Sequence, residues 1–222
     1  MDEFSRHHGF QRLLFFSDAV FAIAITLLIL DVRLPPGATV LDLREAGPQI
    51  LGFFISFYVI GRFWLGHHSL FEGVGGYDDR LLRANLVFLA AVVFLPFPTM
   101  VLSQLKASQG IVFYGLSLTA VGLLLINLTW HARRPALLLP GQTFGGTVRR
   151  LVNMGGVTLV FVLTAAVGEF WPDRGLLVLL LLFPMGPIAD GIGRRLGERV
   201  DERARLRVRN DAEGQAPGVT TP

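Results

Sequence analysis

Six apolar stretches constrain this chain more than any other feature. They run over residues 13–32, 48–66, 83–103, 110–130, 151–169 and 174–190. Each is near the ~20 residues that a helix needs to cross the hydrocarbon of a bilayer. A spanning segment has no water to satisfy its backbone, so each stretch is predicted to be helical. Gly and Pro punctuate the gaps, at Pro35-Pro36-Gly37, Gly73 to Gly76, Pro135, Pro140-Gly141 and Trp171-Pro172. Composition agrees: 52% of the 222 residues are hydrophobic and only 17% charged, with a mean hydropathy of +0.54. Such values belong to multi-span membrane proteins. Cysteine is absent, which excludes disulfide frameworks, zinc–thiolate clusters and thiol catalysis.

The first stretch is not read as a signal peptide. Its apolar run is too long, and "DVRLPP" follows where a small-residue cleavage site is needed. The predicted domains are a six-helix transmembrane unit over 1–192 and a basic tail over 193–222. Pro184 and Pro187 are expected to kink the sixth helix, and the small residues of the fifth to admit close helix neighbours.

Arginine and lysine placement sets the orientation. The N-terminus, the second and fourth connections and the C-terminus hold fifteen of these residues. The opposite side holds four: Arg33, Arg44, Lys106 and Arg174. Both termini are therefore expected in the cytoplasm, and the protein in the cell membrane. The alternation accounts for the arginine clusters, so no nucleic-acid partner is implied. In the tail, Ile192, Leu196, Val200, Ala204 and Val208 form an apolar stripe on a basic helix. That stripe suits either an anionic membrane surface or a merely solvated helix. Residues 211–222 read as disordered.

Within the first span, Ser17 and Asp18 are out of place in lipid. The alternating direction of the helices brings them to one depth with Trp64, His67 and His68 of the second span and Asn85 of the third. A carboxylate in hydrocarbon costs several kcal/mol unless paired. A network of Asp18 with a His, the Trp64 N–H and Asn85 is the expected remedy. It acts as an inter-helix lock, with a proton relay or ion site as the alternative. Further out, Ile23, Thr26, Leu27 and Leu30 share a helix face, extended inward by Ala19. Periodicity alone reads this face as packing, with Thr26 bonding its own backbone.

The motif Arg12-Leu-Leu-Phe-Phe16-Ser17-Asp18, the block Ser56 to His68 and the block Asn85 to Thr99 carry a resemblance. They resemble the prokaryotic relatives of the lysosomal potassium channel, transmembrane protein 175, over roughly residues 10–105. The resemblance implies an all-α membrane protein with six transmembrane helices per chain. It implies a homotetramer whose first helices line a central pore, with no pore loop and no carbonyl filter. It implies pore-facing roles for Ile23, Thr26, Leu27 and Leu30. Arg12, Phe16, Ser17 and Asp18 would then hold the pore helices against the second and third.

The implied function is a potassium channel, moderately selective over sodium, with aliphatic rings that gate by dewetting and a Thr26 ring that contacts the ion. Potassium is the permeant ion and no cofactor is expected; the partners are further copies of the chain and membrane lipids. A secondary transporter of small cations, a proton-conducting protein and a non-conducting scaffold are the rival readings. A metal-dependent hydrolase built on His67, His68, Glu72 and Asp78 is rejected. Neighbouring histidines on a helix point about 100° apart, and the other two residues fall in a connection. His7 and His8 read as a solvated N-terminus. "GVGGYDDR", Gly73 to Arg80, reads as a flexible connection.

Overall fold

The computed structural model describes residues 3–33, 46–104, 108–134 and 136–214, with side chains over 8–33, 46–104, 108–134 and 136–207. The described chain is helical almost throughout. α1 spans Glu3–Leu27 and closes in a tighter 3₁₀ turn, Leu28–Asp31. α2 spans Gly47–Phe71, α3 Asp79–Phe94 and α4 Pro96–Gln104. α5 spans Ser108–Ala132, α6 Phe144–Phe170 and α7 Pro172–Gly175. A 3₁₀ segment, Leu176–Leu181, leads into α8, Leu182–Gly214. Six units are long and apolar enough to cross a membrane, the third made of α3 plus α4 and the sixth of α7 through α8. Prolines explain the divided third unit. Pro96 and Pro98 lack the N–H that a continuous helix would use, and α4 restarts at Pro96.

The sixth unit is irregular ahead of its prolines. The irregular 3₁₀ segment precedes Pro184, which falls in the first turn of α8, and only Pro187 lies inside that helix. α8 then runs without interruption to Gly214. Basic tail and last span are thus one rod, helical at 211–214. Residues 215–222, with Pro35 to Gly37, Arg44, Lys106 and Pro135, lie outside the described residues.

α6 is the centre of the second half, packed between α5 and α8. Glycine allows the approach. A Cβ on Gly115 would sit 2.8 Å from the Ala165 backbone nitrogen, and one on Gly122 would overlap Thr158. α1 packs against α2, α3 and α4, and α3 and α4 in turn pack on α5. The core runs through both halves, with Phe21, Ile60, Phe88, Tyr114 and Phe161 fully enclosed.

The connection after α2 is pinned rather than flexible. Gly75 N donates to Leu137 O at 2.8 Å and Leu139 N to Gly73 O at 3.1 Å, tying it to the connection after α5. Asp78 caps α3 by accepting from Leu81 N at 2.6 Å. It also meets His131 Nε2 at 3.1 Å and Arg134 at 3.3 Å. Burial raises the pKa of the Asp78 carboxyl, but the Leu81 N–H, His131 and Arg134 together bring it below the usual carboxylate value.

Candidate functional site

Helical periodicity divides α1 into two unlike faces. Phe10, Leu13, Ser17, Phe21, Ala24 and Leu28 point into the bundle and are buried. Arg12, Phe16, Ala19, Ile23, Thr26 and Leu30 lie on the other side and are exposed. Leu27 flanks them and is less open, at 38% against 55% for Ile23 and 63% for Leu30. Thr26 Oγ1 donates to Ile23 O at 2.9 Å. The hydroxyl proton is thereby turned toward the backbone, and the oxygen's two lone pairs are left for groups outside the helix.

The buried face is held by a polar row that crosses three helices. Ser17 Oγ donates to Leu13 O at 2.8 Å, which leaves its oxygen free to accept. Asn85 Nδ2 on α3 donates to that oxygen at 3.0 Å. Asn85 Oδ1 in turn accepts from His67 Nε2 on α2 at 2.8 Å. All three side chains are buried. Phe21, Phe71 and Phe88 enclose the imidazole, their ring centroids 5.6, 4.6 and 5.5 Å from it. A satisfied polar row in such surroundings is strong, because water cannot compete.

Asp18 stands apart from that row. Its Oδ1 accepts from Trp64 Nε1 at 2.9 Å. The expected single network is therefore two joints, Asp18–Trp64 and Ser17–Asn85–His67. His68 belongs to neither. It stacks on Trp64 at 5.4 Å and lies 3.5 Å from Glu72, largely exposed. Arg12 and Phe16 also depart from expectation. They lie on the exposed face of α1, Phe16 at 52%, so within one chain they do not clamp α1 to α2 and α3. No group of three or more His, Asp or Glu among the described residues is arranged to hold a metal.

A second buried polar cluster escaped sequence reasoning. Ser56 Oγ lies 2.9 Å from Thr99 Oγ1 and 2.9 Å from Tyr114 Oη, joining α2, α4 and α5. The available signal was a hydroxyl within each of three apolar helices, weak because these helices carry other hydroxyls as well and such groups also bond their own backbone.

The architecture is that of a six-span, all-helical membrane protein. Residues 12–96 match the model of the family described as the endosomal/lysosomal potassium channel TMEM175. The family is one of ion channels, not of enzymes. A protein named as a potassium channel in Streptomyces collinus is 39% identical over 128 residues, 54% of this chain and 62% of that protein. The mouse protein named as the endosomal/lysosomal proton channel TMEM175 is 31% identical over 159 residues, 61% of this chain and 31% of its own length. The matches thus span less than two thirds of these curated relatives. The crystal structure of a TMEM175 homologue from Chamaesiphon minutus shares the fold, with a TM-score of 0.72. It is 24% identical and covers 82% of this chain and 99% of that one.

Proposed function

We propose that this protein is a potassium channel, selective over sodium to a moderate degree, whose pore is lined by α1 from each of four identical subunits. The observation that carries this reading is the open face of α1. Ile23, Thr26 and Leu30 form an apolar strip with one hydroxyl, uncovered although the opposite face is packed. In a membrane bundle an open apolar face meets lipid or another helix, and a hydroxyl within it, as at Thr26, favours a neighbouring helix or an aqueous path over lipid. Ala19 within the strip allows helices to approach closely at the axis.

Four copies would set Ile23, Leu27 and Leu30 as aliphatic rings. Such rings narrow a pore and close it by expelling water. Four Thr26 oxygens, their protons turned to Ile23 O, would offer lone pairs to a passing cation. Potassium sheds water more readily than sodium, so a narrow, weakly coordinating passage favours it. The two joints at Asp18 and Asn85 would hold each α1 at its angle to the axis. Both termini would lie in the cytoplasm, by the arginine asymmetry.

A second reading, proton conduction, is supported by the name given to the mammalian relatives. Purified protein in liposomes distinguishes the two. Reversal potentials under potassium–sodium gradients follow potassium if the proposal holds, and follow pH alone if protons are the permeant species. Saturating, strongly temperature-dependent flux would instead make the protein a transporter.

A further inference from the structure

A cavity of about 430 Å³ lies between α2, α5, α6 and α8, with no residue of α1 in its wall. Its polar side is formed by Arg62, Arg149, Arg150, Asn153, Glu72 and Asp190. Leu125, Met154 and Val157 form the apolar side. Small residues keep the space open: a side chain on Gly66 would meet Leu125 at 3.0 Å.

The charges in this cavity are unevenly matched. Asp190 is held by Arg149 at 2.6 Å and by Arg194 at 2.9 Å. Arg150 makes one long hydrogen bond, 3.3 Å to Gln142 Oε1, and feels the charge of Glu72 without an ion-pair contact to it among the described residues. Arg62 joins no ion pair among the described residues, and its Nε is buried without a hydrogen-bond partner. It sits nine residues before the end of α2 at Phe71, about 13 Å along the helix at 1.5 Å per residue. A guanidinium at that depth of a span is costly unless something pairs with it. Two guanidinium forks converging on one cavity match the oxygens of a phosphate, which each can engage with two parallel bonds. Basic pockets between membrane helices at the arginine-rich end are suited to phosphorylated head groups. At the rim, Leu65 is 49% exposed and provides an apolar surface beside the charges.

We propose that this cavity is a phosphate-binding site, in which Arg62 and Arg150 grip the phosphate of an anionic phospholipid head group or a free phosphate. Arg149, fixed by Asp190, adds field rather than a free fork. The site is remote from α1 and needs no particular pore chemistry.

The full chain in neutral detergent is titrated with dioctanoyl phosphatidic acid, inorganic phosphate or dioctanoylglycerol, and the unfolding midpoint is read. Phosphatidic acid is expected to raise the midpoint saturably, and dioctanoylglycerol to leave it unchanged. Arg62→Gln and Arg150→Gln are each expected to raise the half-saturating concentration about tenfold, the loss of one charge-assisted pair. If Arg62→Gln does not fold, Arg150→Gln decides. Inorganic phosphate acting with the same sensitivity to both variants identifies free phosphate as the source; action by the lipid alone identifies the head group. No saturable shift with either phosphate source overturns the proposal, as do variants that bind like the parent. The readout is binding, so its failure leaves the channel reading untouched.

Discussion

Asn85 Nδ2 on α3 donates to Ser17 Oγ on α1 at 3.0 Å, with both residues wholly buried. This contact fixes which side of α1 faces the bundle, and hence which side is left open. Asn85→Leu removes both a donor to Ser17 and the acceptor for His67. It is expected to destabilise the protein by about 1–3 kcal/mol, the cost of leaving buried partners unsatisfied. The unfolding midpoint in detergent measures it, and an unaltered midpoint would contradict the role given to Asn85.

The Asp18–Trp64 joint is less enclosed, so its effect is expected to be smaller. Trp64→Phe and Asp18→Ala should each cost roughly 0.5–1.5 kcal/mol. The double variant should cost little more than either one, because both remove the same bond. Full additivity in the unfolding midpoints would show that the two side chains act independently.

Thr26→Ala is expected to lower potassium preference over sodium, since it deletes the hydroxyl that the open face of α1 carries between Ile23 and Leu30. Ile23→Asn is expected to raise resting conductance by wetting an aliphatic ring. Reversal potentials and single-channel currents in bilayers give both values. Ratios and conductances equal to those of the parent would remove Ile23 and Thr26 from the pore.

Gly115→Leu should be poorly tolerated. Its Cβ alone would stand 2.8 Å from the Ala165 nitrogen, a backbone atom that cannot swing aside. Overpacking of this kind typically costs about 1–3 kcal/mol or more. Gly155, with open space around it, is the control: Gly155→Ala is expected to be near neutral in the same unfolding measurement.

Asp78 makes stability depend on acidity in one direction. Its carboxyl titrates below the ordinary value of 3.8, so its contribution is complete above that value. It is lost as pH falls through the lower, folded-state value. The parent should therefore unfold at a higher temperature than Asp78→Asn near neutrality, and the gap should close below about pH 4. A gap that widens on acidification would reverse the assignment.

Apolar length made the six spans readable, because a bilayer imposes one minimum on every helix. Alternating helix direction also puts Ser17, Asp18, Trp64, His67, His68 and Asn85 at one depth, although His68 joins neither the polar contact of Asp18 nor the row of His67. Depth says nothing of rotation about a helix axis, however. It supplied the Trp64 N–H as a partner for Asp18, but could not tell that His67 and Asn85 form a separate row with Ser17. Nor could it tell that Phe16, one residue before Ser17, faces away from both neighbours. The pinned connection at Gly73 to Asp78 was misread for a related reason. Glycine reports backbone freedom in isolation, whereas the restraint comes from Leu137 and Leu139, more than sixty residues later.

The row from His67 through Asn85 to Ser17 runs in a single donor direction and terminates on the Leu13 carbonyl. A carboxamide and a peptide oxygen cannot receive a hydron on one side and release it on the other at ordinary acidity. The row is a rivet rather than a wire. The hydrogen bonds from His67 Nε2 to the Leu13 carbonyl are built to hold three helices together, not to pass a proton along them.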